Sequence, residues 1–346
     1  MPKYKLLIVS TQVYESPPRT YGGLELVCHD LGEALGQMGH DVFVLCPEGS
    51  RGSPQKLYTV CSGGPGGLHN PEEQAYAAIK PSLKDFDLVH DHSWSALPYL
   101  MKREWPQMKL LHTIHSQRPY YTKPVEQPCF VAASQAQADY LKRESGFDCR
   151  VVHHGIDLSL YQFYTEKDDF LLYLNRVQDE KGALEFVSLC KSTGMKGMVA
   201  GEDIYVPDPL GYPRRVMEAC ENSGGLVRYL GRIPHDYKLE LLQKARCVVA
   251  PLKPPYMEIF GLFMLEAMAC GTPVLVTDQG APRELVVHGA TGAIATNLDC
   301  LERNLVLALQ CEPAACRKRA EEFSREKMAG AYLDLYRRMV EDNDEW

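Results

Sequence analysis

The chain has 346 residues, of which 45% are hydrophobic and 24% are charged, so it is long enough for two globular domains and its composition excludes wholesale disorder. The formal net charge is −8, and residues 1–150 carry 15 Lys and Arg against 16 Asp and Glu, which excludes the basic surfaces that bind nucleic acids or anionic membranes. No apolar run reaches the roughly 18 residues of a membrane span, and the 12 cysteines form no Cys-x-x-Cys pair, which favours free thiols in a reducing, cytoplasmic location.

The first half of the chain alternates short apolar runs with segments of helical period. Residues 5–10 predict the first strand, and their apolar run is too short for a signal peptide. Gly22 and Gly23 precede a predicted helix whose apolar residues step by three and four up to Gly39. Further strands are predicted at 41–47, 56–62, 86–90, 110–114, 129–133 and 150–153, with helices at 72–79, 94–105 and 135–144.

The same alternation returns after residue 157. Strands are predicted at 170–174, 197–200, 226–230, 247–251 and 273–277, with a helix at 181–191 and helical structure from residue 301 to the end. Continuous apolar strands alternating with helices predict parallel sheets that are covered on both faces. The predicted fold class is therefore α/β, with two doubly wound, Rossmann-like domains facing across a cleft. Ligands of such sheets bind beyond the carboxyl ends of the strands.

Two acidic residues stand eight positions apart in the second half. Glu266 lies in a predicted helix that is apolar almost all round, so we expect it to be buried. A buried carboxylate needs hydrogen bonds or a cation, which a sugar's hydroxyl groups or a structural ion pair would supply. Glu258 lies just before that helix, beside Phe260, Gly261 and Leu262, whose N–H groups form a predicted anion site at the helix start.

Arg176 and Lys181 flank the turn from a predicted strand to a predicted helix. Two cations at such a turn can hold a diphosphate, Arg as a fork and Lys as a point charge. A merely solvated pair is disfavoured, because cations oppose the dipole at a helix start unless an anion is present. Gly22 and Gly23 allow backbone N–H groups to approach a phosphate or sugar, although two glycines also suit a plain tight turn.

Four histidines lie around two predicted strand ends: His90, His92, His112 and His115. The rings of His90 and His92 point to one face of a strand, as a metal pair would, but no third ligand follows at a recognised spacing. No metal site is therefore predicted, and His90 and His112 are expected in or near the core. Tyr120 and Tyr121 follow in a loop, where they would stack on a sugar or be partly covered.

The motifs resemble, in their order, those of the retaining glycosyltransferases of family 4, which have the GT-B fold. They are YGGLELVCHDLGEALGQMGHDVFVL, VHDHS, LLHTIHS, VVHHGID, LLYLNRVQDEKGALE, YLGRIP, and Glu, seven residues, Glu, a small residue and GTPV. The resemblance runs through most of the chain. It implies an acceptor-side domain at 1–157, a nucleotide-sugar donor domain at 158–325, and a C-terminal helix at 326–346 that crosses back to the first domain.

The resemblance also implies roles for individual residues. Arg176 and Lys181 would hold the donor's diphosphate, Glu258 the sugar hydroxyls and Glu266 the ribose, while His115 would lie against the transferred sugar. The implied catalytic residues are Glu258, His115, Arg176 and Lys181. The implied donor-binding residues are Gly22, Gly23, Arg176, Lys181, Ile233, Phe260, Gly261, Leu262 and Glu266. Two positions depart from the family's pattern, which usually has Gly at Asn175 and Asn at His154.

The activity implied is metal-independent, retaining transfer of a hexose from a nucleoside-diphosphate sugar, with a UDP-sugar as the expected donor and no further cofactor. The expected acceptor is a small soluble molecule or a glycoconjugate precursor. Neither a nucleic acid partner nor a transmembrane segment or peripheral membrane contact is expected, and the sequence does not indicate an oligomeric state. A nucleotide-sugar epimerase or hydrolase and a non-catalytic nucleotide-sugar-binding protein remain alternatives on the same fold.

Overall fold

The computed structural model describes residues 2–20, 22–52, 56–59, 71–94, 102–117, 129–201 and 211–346. The chain divides into two compact units. The first unit comprises Met1–Ile156 and Ser324–Trp346, and the second comprises Asp157–Phe323. Most of the helix predicted at 94–105, and the loop tyrosines Tyr120 and Tyr121, lie outside the described residues.

The first unit is built on a seven-stranded sheet in the order β3-β2-β1-β4-β5-β6-β7, in which neighbouring strands are parallel. Its strands are β1 Lys5–Val9, β2 Asp41–Cys46, β3 Lys56–Thr59, β4 Leu88–Asp91, β5 Leu110–Ile114, β6 Cys129–Ala132 and β7 Cys149–Val151. The helices between them are α1 Gly23–Gln37, α2 Pro71–Ile79 and α3 Gln135–Ser145. Strands β4, β5 and β6 are buried along their whole length, including the polar residues His90, Asp91 and His112, so this part of the sheet is covered on both faces.

The second unit is built on a six-stranded sheet in the order β10-β9-β8-β11-β12-β13, again parallel. Its strands are β8 Phe170–Leu174, β9 Lys196–Ala200, β10 Val227–Gly231, β11 Cys247–Ala250, β12 Val274–Thr277 and β13 Gly292–Ala295. Its helices are α4 Ala183–Thr193, α5 Tyr212–Glu221, α6 His235–Lys244, α7 Leu262–Ala269, α8 Pro282–Leu285, α9 Leu301–Ala308 and α10 Pro313–Ala320. The α/β class predicted from the alternation is confirmed.

Two local differences from the predicted elements have plain causes. Strand β13 was not predicted, because its sequence, GAIA, is too short and too rich in small residues to stand out as an apolar run. The helix predicted at 181–191 is divided into a 3₁₀ turn at Asp179–Lys181 and helix α4, because Gly182 between them is left-handed with a φ of 76°.

The last helix, α11 Arg325–Val340, belongs to the first unit. Ser324 caps it by accepting a hydrogen bond from the N–H of Lys327, and a β-bridge joins Ser324 to Ile156. The chain therefore leaves and re-enters the first unit at adjacent points. The buried stripe of α11 includes Tyr332 and Tyr336, whose hydroxyls reach the ends of strands β4 and β5. Among the described helices, none is both long and apolar enough to cross a membrane.

Candidate active site

Lys181 and Glu258 meet in the second unit although they are 77 positions apart in the chain. The Lys181 Nζ lies 2.8 Å from Oε2 of Glu258, and both side chains are buried. Lys181 also donates to the hydroxyl of Tyr256 at 2.6 Å, and that hydroxyl donates to Oε1 of Glu258 at 3.2 Å. Both carboxylate oxygens are thus held in place, yet a carboxylate has about four lone-pair sites and keeps capacity for ligand hydroxyls.

A glycine brings Lys181 to this position. A Cβ atom at Gly182 would lie 2.0 Å from the carbonyl oxygen of Pro251, and its φ of +76° disfavours any other residue. The turn at Asp179–Lys181 can therefore pack directly against the chain that follows β11. Lys253 fastens the contact, since its N–H donates to the carbonyl of Glu180 and its Nζ pairs with Asp179 at 2.8 Å.

The loop that carries Glu258 is held from the other side by backbone hydrogen bonds. The N–H of Glu258 donates to the carbonyl of Gln279 at 2.9 Å, and the N–H of Ala281 donates to the carbonyl of Glu258 at 2.9 Å. The carboxylate therefore projects from a backbone that is tied to the segment following β12. A site built on such a support keeps its geometry without a ligand.

Electrostatics favour an anion at Lys181. Burial lowers the pKa of Lys181, the carboxylate of Glu258 opposes that shift, and the nearby charge of Arg176 adds to it. Arg176 follows strand β8, and its carbonyl accepts hydrogen bonds from the hydroxyl of Tyr173 and the N–H of Gln178. The charges of Lys181 and Arg176 thus act on each other, and a phosphate bound at Lys181 would interact favourably with both.

Helix α7 begins immediately after the Glu258 loop. Its N-cap, Gly261, is left-handed with a φ of 90°, and no side chain caps the helix. Phe260 is buried and packs edge-on against Phe323 with ring centroids 6.3 Å apart. The positive end of the helix dipole therefore lies at Gly261, three residues after Glu258, and the anion site at Phe260, Gly261 and Leu262 stays a prediction.

Glu266 lies in the middle of α7 and is buried. Its Oε1 accepts hydrogen bonds from Nζ of Lys238 at 2.7 Å and from the hydroxyl of Tyr161 at 2.9 Å. The structural alternative for Glu266 was a backbone cap or a pair with an Arg, whereas the structure shows an ion pair with a lysine, Lys238. Within the described part of the chain, Oε2 receives no hydrogen bond, so it can still accept one from a ligand. The ribose role of Glu266 stays a prediction.

Sequence reasoning did not identify Lys238, Tyr161, Tyr256 or Lys253 as site residues. Lys238 stands on an ordinary helix, α6, and Tyr161 stands in the segment that opens the second unit. No motif or spacing distinguishes them, since their partners are 28 and 105 positions away. Tyr256 lies two residues before Glu258, so its closeness in the sequence could have identified it as a site residue.

The other predicted donor-binding residues lie in separate places. Ile233 follows strand β10 in the second unit and is half-buried. Gly22 and Gly23 begin helix α1 in the first unit. Beneath them the carboxyl of Glu25 is buried and accepts a hydrogen bond from the hydroxyl of Thr11, and burial raises the pKa of Glu25 to about 7.

The predicted histidine residue His115 belongs to a cluster in the first unit, which we call the histidine cluster: His90, His92, His115 and His154. Nδ1 of His92 lies 2.7 Å from Nε2 of His115, and the rings of His115 and His154 stack with centroids 5.1 Å apart. His90 is wholly buried, with hydrogen bonds to Tyr336 and Thr113 at 2.7 Å each. The core location expected for His90 is confirmed.

His112 is also buried, as expected, and its Nδ1 lies 2.5 Å from Oδ2 of Asp91. Burial, together with the charges of neighbouring histidines, holds the pKa of His90, His92 and His115 well below the usual range. Burial lowers the pKa of His154 to about 3. The rings of the histidine cluster are therefore neutral near pH 7. The described residues contain no group of three or more His, Cys, Asp or Glu that could hold a metal ion.

Comparison with known proteins extends over nearly the whole chain. The family model "Glycosyltransferase Family 4" matches residues 21–160, and the model "Glycosyl transferases group 1" matches residues 162–326. Glycogen synthase from Mycobacterium tuberculosis (strain CDC 1551 / Oshkosh) is 26% identical over 383 aligned positions, which cover 91% of this chain and 88% of that protein.

Two solved structures share the fold. AviGT4, a glycosyltransferase involved in avilamycin A biosynthesis, is 26% identical with a TM-score of 0.76, and the match covers 99% of both chains. Sucrose-phosphate synthase from Thermosynechococcus elongatus is 23% identical with a TM-score of 0.77, covering 97% of this chain and 99% of that one. Both units of this chain therefore have counterparts in these two structures, one named a glycosyltransferase and the other a synthase.

Proposed function

The chain is a family 4-like glycosyltransferase with the two-domain, Rossmann-like GT-B fold, and from this premise we propose that it transfers a sugar from a nucleoside-diphosphate sugar to an acceptor hydroxyl, with retention at the anomeric carbon and without a metal ion. The observation that carries the proposal is the buried Lys181, paired with Glu258 at 2.8 Å directly before the uncapped start of helix α7.

The diphosphate of the donor would be held by Lys181, Arg176 and the first N–H groups of α7. These groups would supply positive charge to the diphosphate, and Lys181 is held before a ligand arrives by its contacts with Tyr256 and Glu258. Negative charge builds up on the leaving diphosphate during transfer, so fixed donors aimed at that charge lower the barrier. These groups can take the place of a divalent cation, because such a cation would likewise neutralise the negative charge of the diphosphate.

The transfer step balances without a protein nucleophile. The bond between the anomeric carbon and the leaving phosphate oxygen breaks, and the acceptor oxygen forms a bond to that carbon on the same face. The acceptor's proton passes to the leaving phosphate oxygen. The sugar carries oxocarbenium-like charge between these events, and the carboxylate of Glu258 would stabilise that charge while it accepts hydrogen bonds from the sugar hydroxyls.

The remaining roles follow the resemblance. Oε2 of Glu266 would accept from a ribose hydroxyl, and Ile233 would contact the nucleoside. His115 would bond a hydroxyl of the transferred sugar, while Gly22 and Gly23 would offer N–H groups to the donor. Uridine as the base rests on the resemblance alone. A small polar acceptor is supported by the nearly balanced charge of residues 1–150, with 15 basic and 16 acidic side chains.

A donor screen with product analysis tests the proposal. The protein is incubated in EDTA with UDP-, ADP- and GDP-sugars and with a set of polyol and sugar acceptors, and NMR reads the anomeric configuration of each product. We expect a conjugate whose anomer matches the donor, formed at the same rate with and without EDTA. Release of free sugar or of an epimer would replace the proposal with the hydrolase or epimerase alternative, and a need for a divalent ion would remove the roles given to Arg176 and Lys181.

Nucleotide binding is tested separately by thermal melting. A nucleoside diphosphate that binds only the native protein raises the melting temperature. In EDTA we expect a rise with one nucleoside diphosphate that exceeds the rise with its monophosphate, because the diphosphate meets more of the cationic site. Equal effects of the two nucleotides would contradict a diphosphate site at Lys181.

A further inference from the structure

A hydrogen bond joins one ring nitrogen of His92 to one ring nitrogen of His115, so one of these two nitrogens is protonated and the other is not. Nδ1 of His92 and Nε2 of His115 are 2.7 Å apart, and the pKa of both rings lies well below the usual range because they are buried among other histidines. Two neutral rings carry one N–H each, so one nitrogen of the contact donates and the other accepts. Which ring donates decides what His115 can offer to a ligand.

The second nitrogen of His92 settles the direction. Nε2 of His92 is buried and has no hydrogen-bond partner among the described residues. With its proton on Nε2, His92 would bury a donor without an acceptor. With its proton on Nδ1, the donor is satisfied by His115 and only a lone pair is left unused. Orphaned buried N–H groups are the rarer defect in proteins, and leaving a buried donor unmade is costly.

We propose that His92 is a positioning residue, which donates its Nδ1–H to Nε2 of His115 and thereby holds His115 in the tautomer with the proton on Nδ1. His115 then offers an N–H donor, not a lone pair, to an oxygen of the substrate. Nδ1 of His115 forms no hydrogen bond to the described residues, and His115 as a residue is half-buried, so this donor is left for a ligand.

The neighbouring rings hold His115 in the required orientation. His154 stacks on it with an interplanar angle of 16°, and His92 itself is packed against His90 with ring centroids 4.0 Å apart. A fixed N–H donor discriminates strongly against a substrate that lacks the matching oxygen, because the donor is then left unpaired. His92 would thus contribute to donor-sugar specificity without touching the sugar. The substrate part of this inference rests on the proposed function, whereas the tautomer does not.

The tautomer is measured by NMR on protein labelled with ¹⁵N-histidine, which distinguishes protonated from unprotonated ring nitrogens and needs no substrate. We expect a protonated Nδ1 and an unprotonated Nε2 for His115 at pH 8. The opposite assignment for His115 in the unmodified protein would overturn the inference. If no nucleoside-diphosphate sugar supports transfer, the proposed function fails while this measurement still decides the tautomer.

Two variants of equal size provide the activity test. His92→Asn keeps an amide N–H at the level of Nδ1, whereas His92→Asp can only accept and would draw the His115 proton to Nε2. At pH 8 we expect His92→Asn to retain kcat/KM within about threefold and His92→Asp to lose about 10–100-fold in kcat/KM. Losses of about this size are usual when a residue that orients a ligand-binding side chain is replaced.

The pH profile separates positioning from packing. The carboxylate of His92→Asp would favour a doubly protonated His115, so its lost activity should return as the pH falls, because Nδ1–H is then restored. The Asn variant retains the same surrounding groups, His90, His112 and His154, and serves as the control for their titration. Equal losses in the two variants at every pH would show a packing role and contradict the inference.

Discussion

Burial acts on different kinds of ionisable group in the histidine cluster and Glu25 of the first unit and in the lysine–glutamate pairs of the second unit. In the first unit, burial lowers the pKa of the histidine cluster and raises that of Glu25 to about 7, and each of these shifts favours the neutral form. In the second unit, Lys181 and Glu258 face each other at 2.8 Å, and Lys238 and Glu266 at 2.7 Å. There the carboxylates are buried together with a cation.

The difference follows from the partners that each fold brings together. A buried group without an opposite charge avoids the cost of desolvation by staying neutral, whereas a buried ion persists when a counter-ion and hydrogen bonds accompany it. Neutral histidines can hydrogen-bond to the hydroxyls of a sugar, and a buried lysine can neutralise a phosphate.

We expect the largest effect from replacing Lys181, the cation of the buried ion pair with Glu258. Lys181→Met removes charge from the diphosphate site, so transfer should fall by about 10²–10³-fold, as when one donor to a developing anion is deleted. Because Glu258 is left as a buried, unpaired carboxylate, the free energy of unfolding should also drop by about 3–5 kcal/mol. Steady-state kinetics and urea unfolding measure the two losses.

A double variant separates the two losses. Lys181→Met with Glu258→Gln leaves no unpaired charge, so it should recover most of the stability and none of the transfer. Lys244→Met is the matched control, since Lys244 forms an exposed pair with Glu240 and should leave both readouts unchanged. Transfer within about threefold of the unmodified protein in Lys181→Met would contradict the charge role.

The neutral side of the comparison is tested at Glu25. Burial raises its pKa from the ordinary 4.5 to about 7, so the native state holds the proton more firmly than the unfolded chain. The stability contributed by this group is therefore greatest below about pH 4.5, declines between about pH 4.5 and 7, and stays at its lower level above pH 7. The full decline amounts to about 3 kcal/mol.

Glu25→Gln removes this penalty while keeping an acceptor for Thr11. Relative to the unmodified protein, it should raise the free energy of unfolding by up to about 3 kcal/mol at pH 8 and by less than about 1 kcal/mol at pH 5. Urea unfolding at the two pH values provides the measurement, with the exposed Glu144→Gln as control. A stabilisation that is the same at both pH values would show that Glu25 is not the titrating group.

The smallest effect is expected at Glu266, where ligand binding and the ion pair compete as explanations. If Oε2 binds the ribose, Glu266→Gln should weaken binding of the nucleoside diphosphate about tenfold, or about 1.4 kcal/mol. Calorimetric titration gives the affinity, and Glu240→Gln is the exposed control. A lower melting temperature with unchanged affinity would assign Glu266 to the ion pair with Lys238 alone and remove its ribose role.

Most of the fold could be predicted because its signals are local. Strands such as β11 Cys247–Ala250 are continuous apolar runs, and the stepped apolar residues of α1 indicate its buried face. Where the local signal is weak, prediction failed, as at the four residues of β13. The left-handed Gly182 also could not be foreseen, because its need arises from a carbonyl of Pro251, 69 positions later in the chain.

The site could be predicted only in part for the same reason. Glu258, Arg176 and Lys181 stand out beside a helix start or a strand end, and Glu266 stands out as an acidic residue inside an apolar helix, so sequence alone identified them as candidates. The partners of Glu266, Lys238 and Tyr161, are distant from it in the sequence and lie in no motif. The sequence pattern His-x-His made His92 a candidate residue. It did not indicate the contact with His115, which directly follows the neighbouring strand β5.

The sequence by itself determined the alternation of strands and helices, the place of the candidate residues at the ends of strands, and the family. Only the tertiary structure decided which buried groups are charged. The reason is physical: periodicity is a property of residues close in the chain, whereas a pKa depends on desolvation and on charges brought near by folding. Glu25 and Glu258 are both buried glutamates, but folding places the hydroxyl of Thr11 beside Glu25 and Nζ of Lys181 beside Glu258.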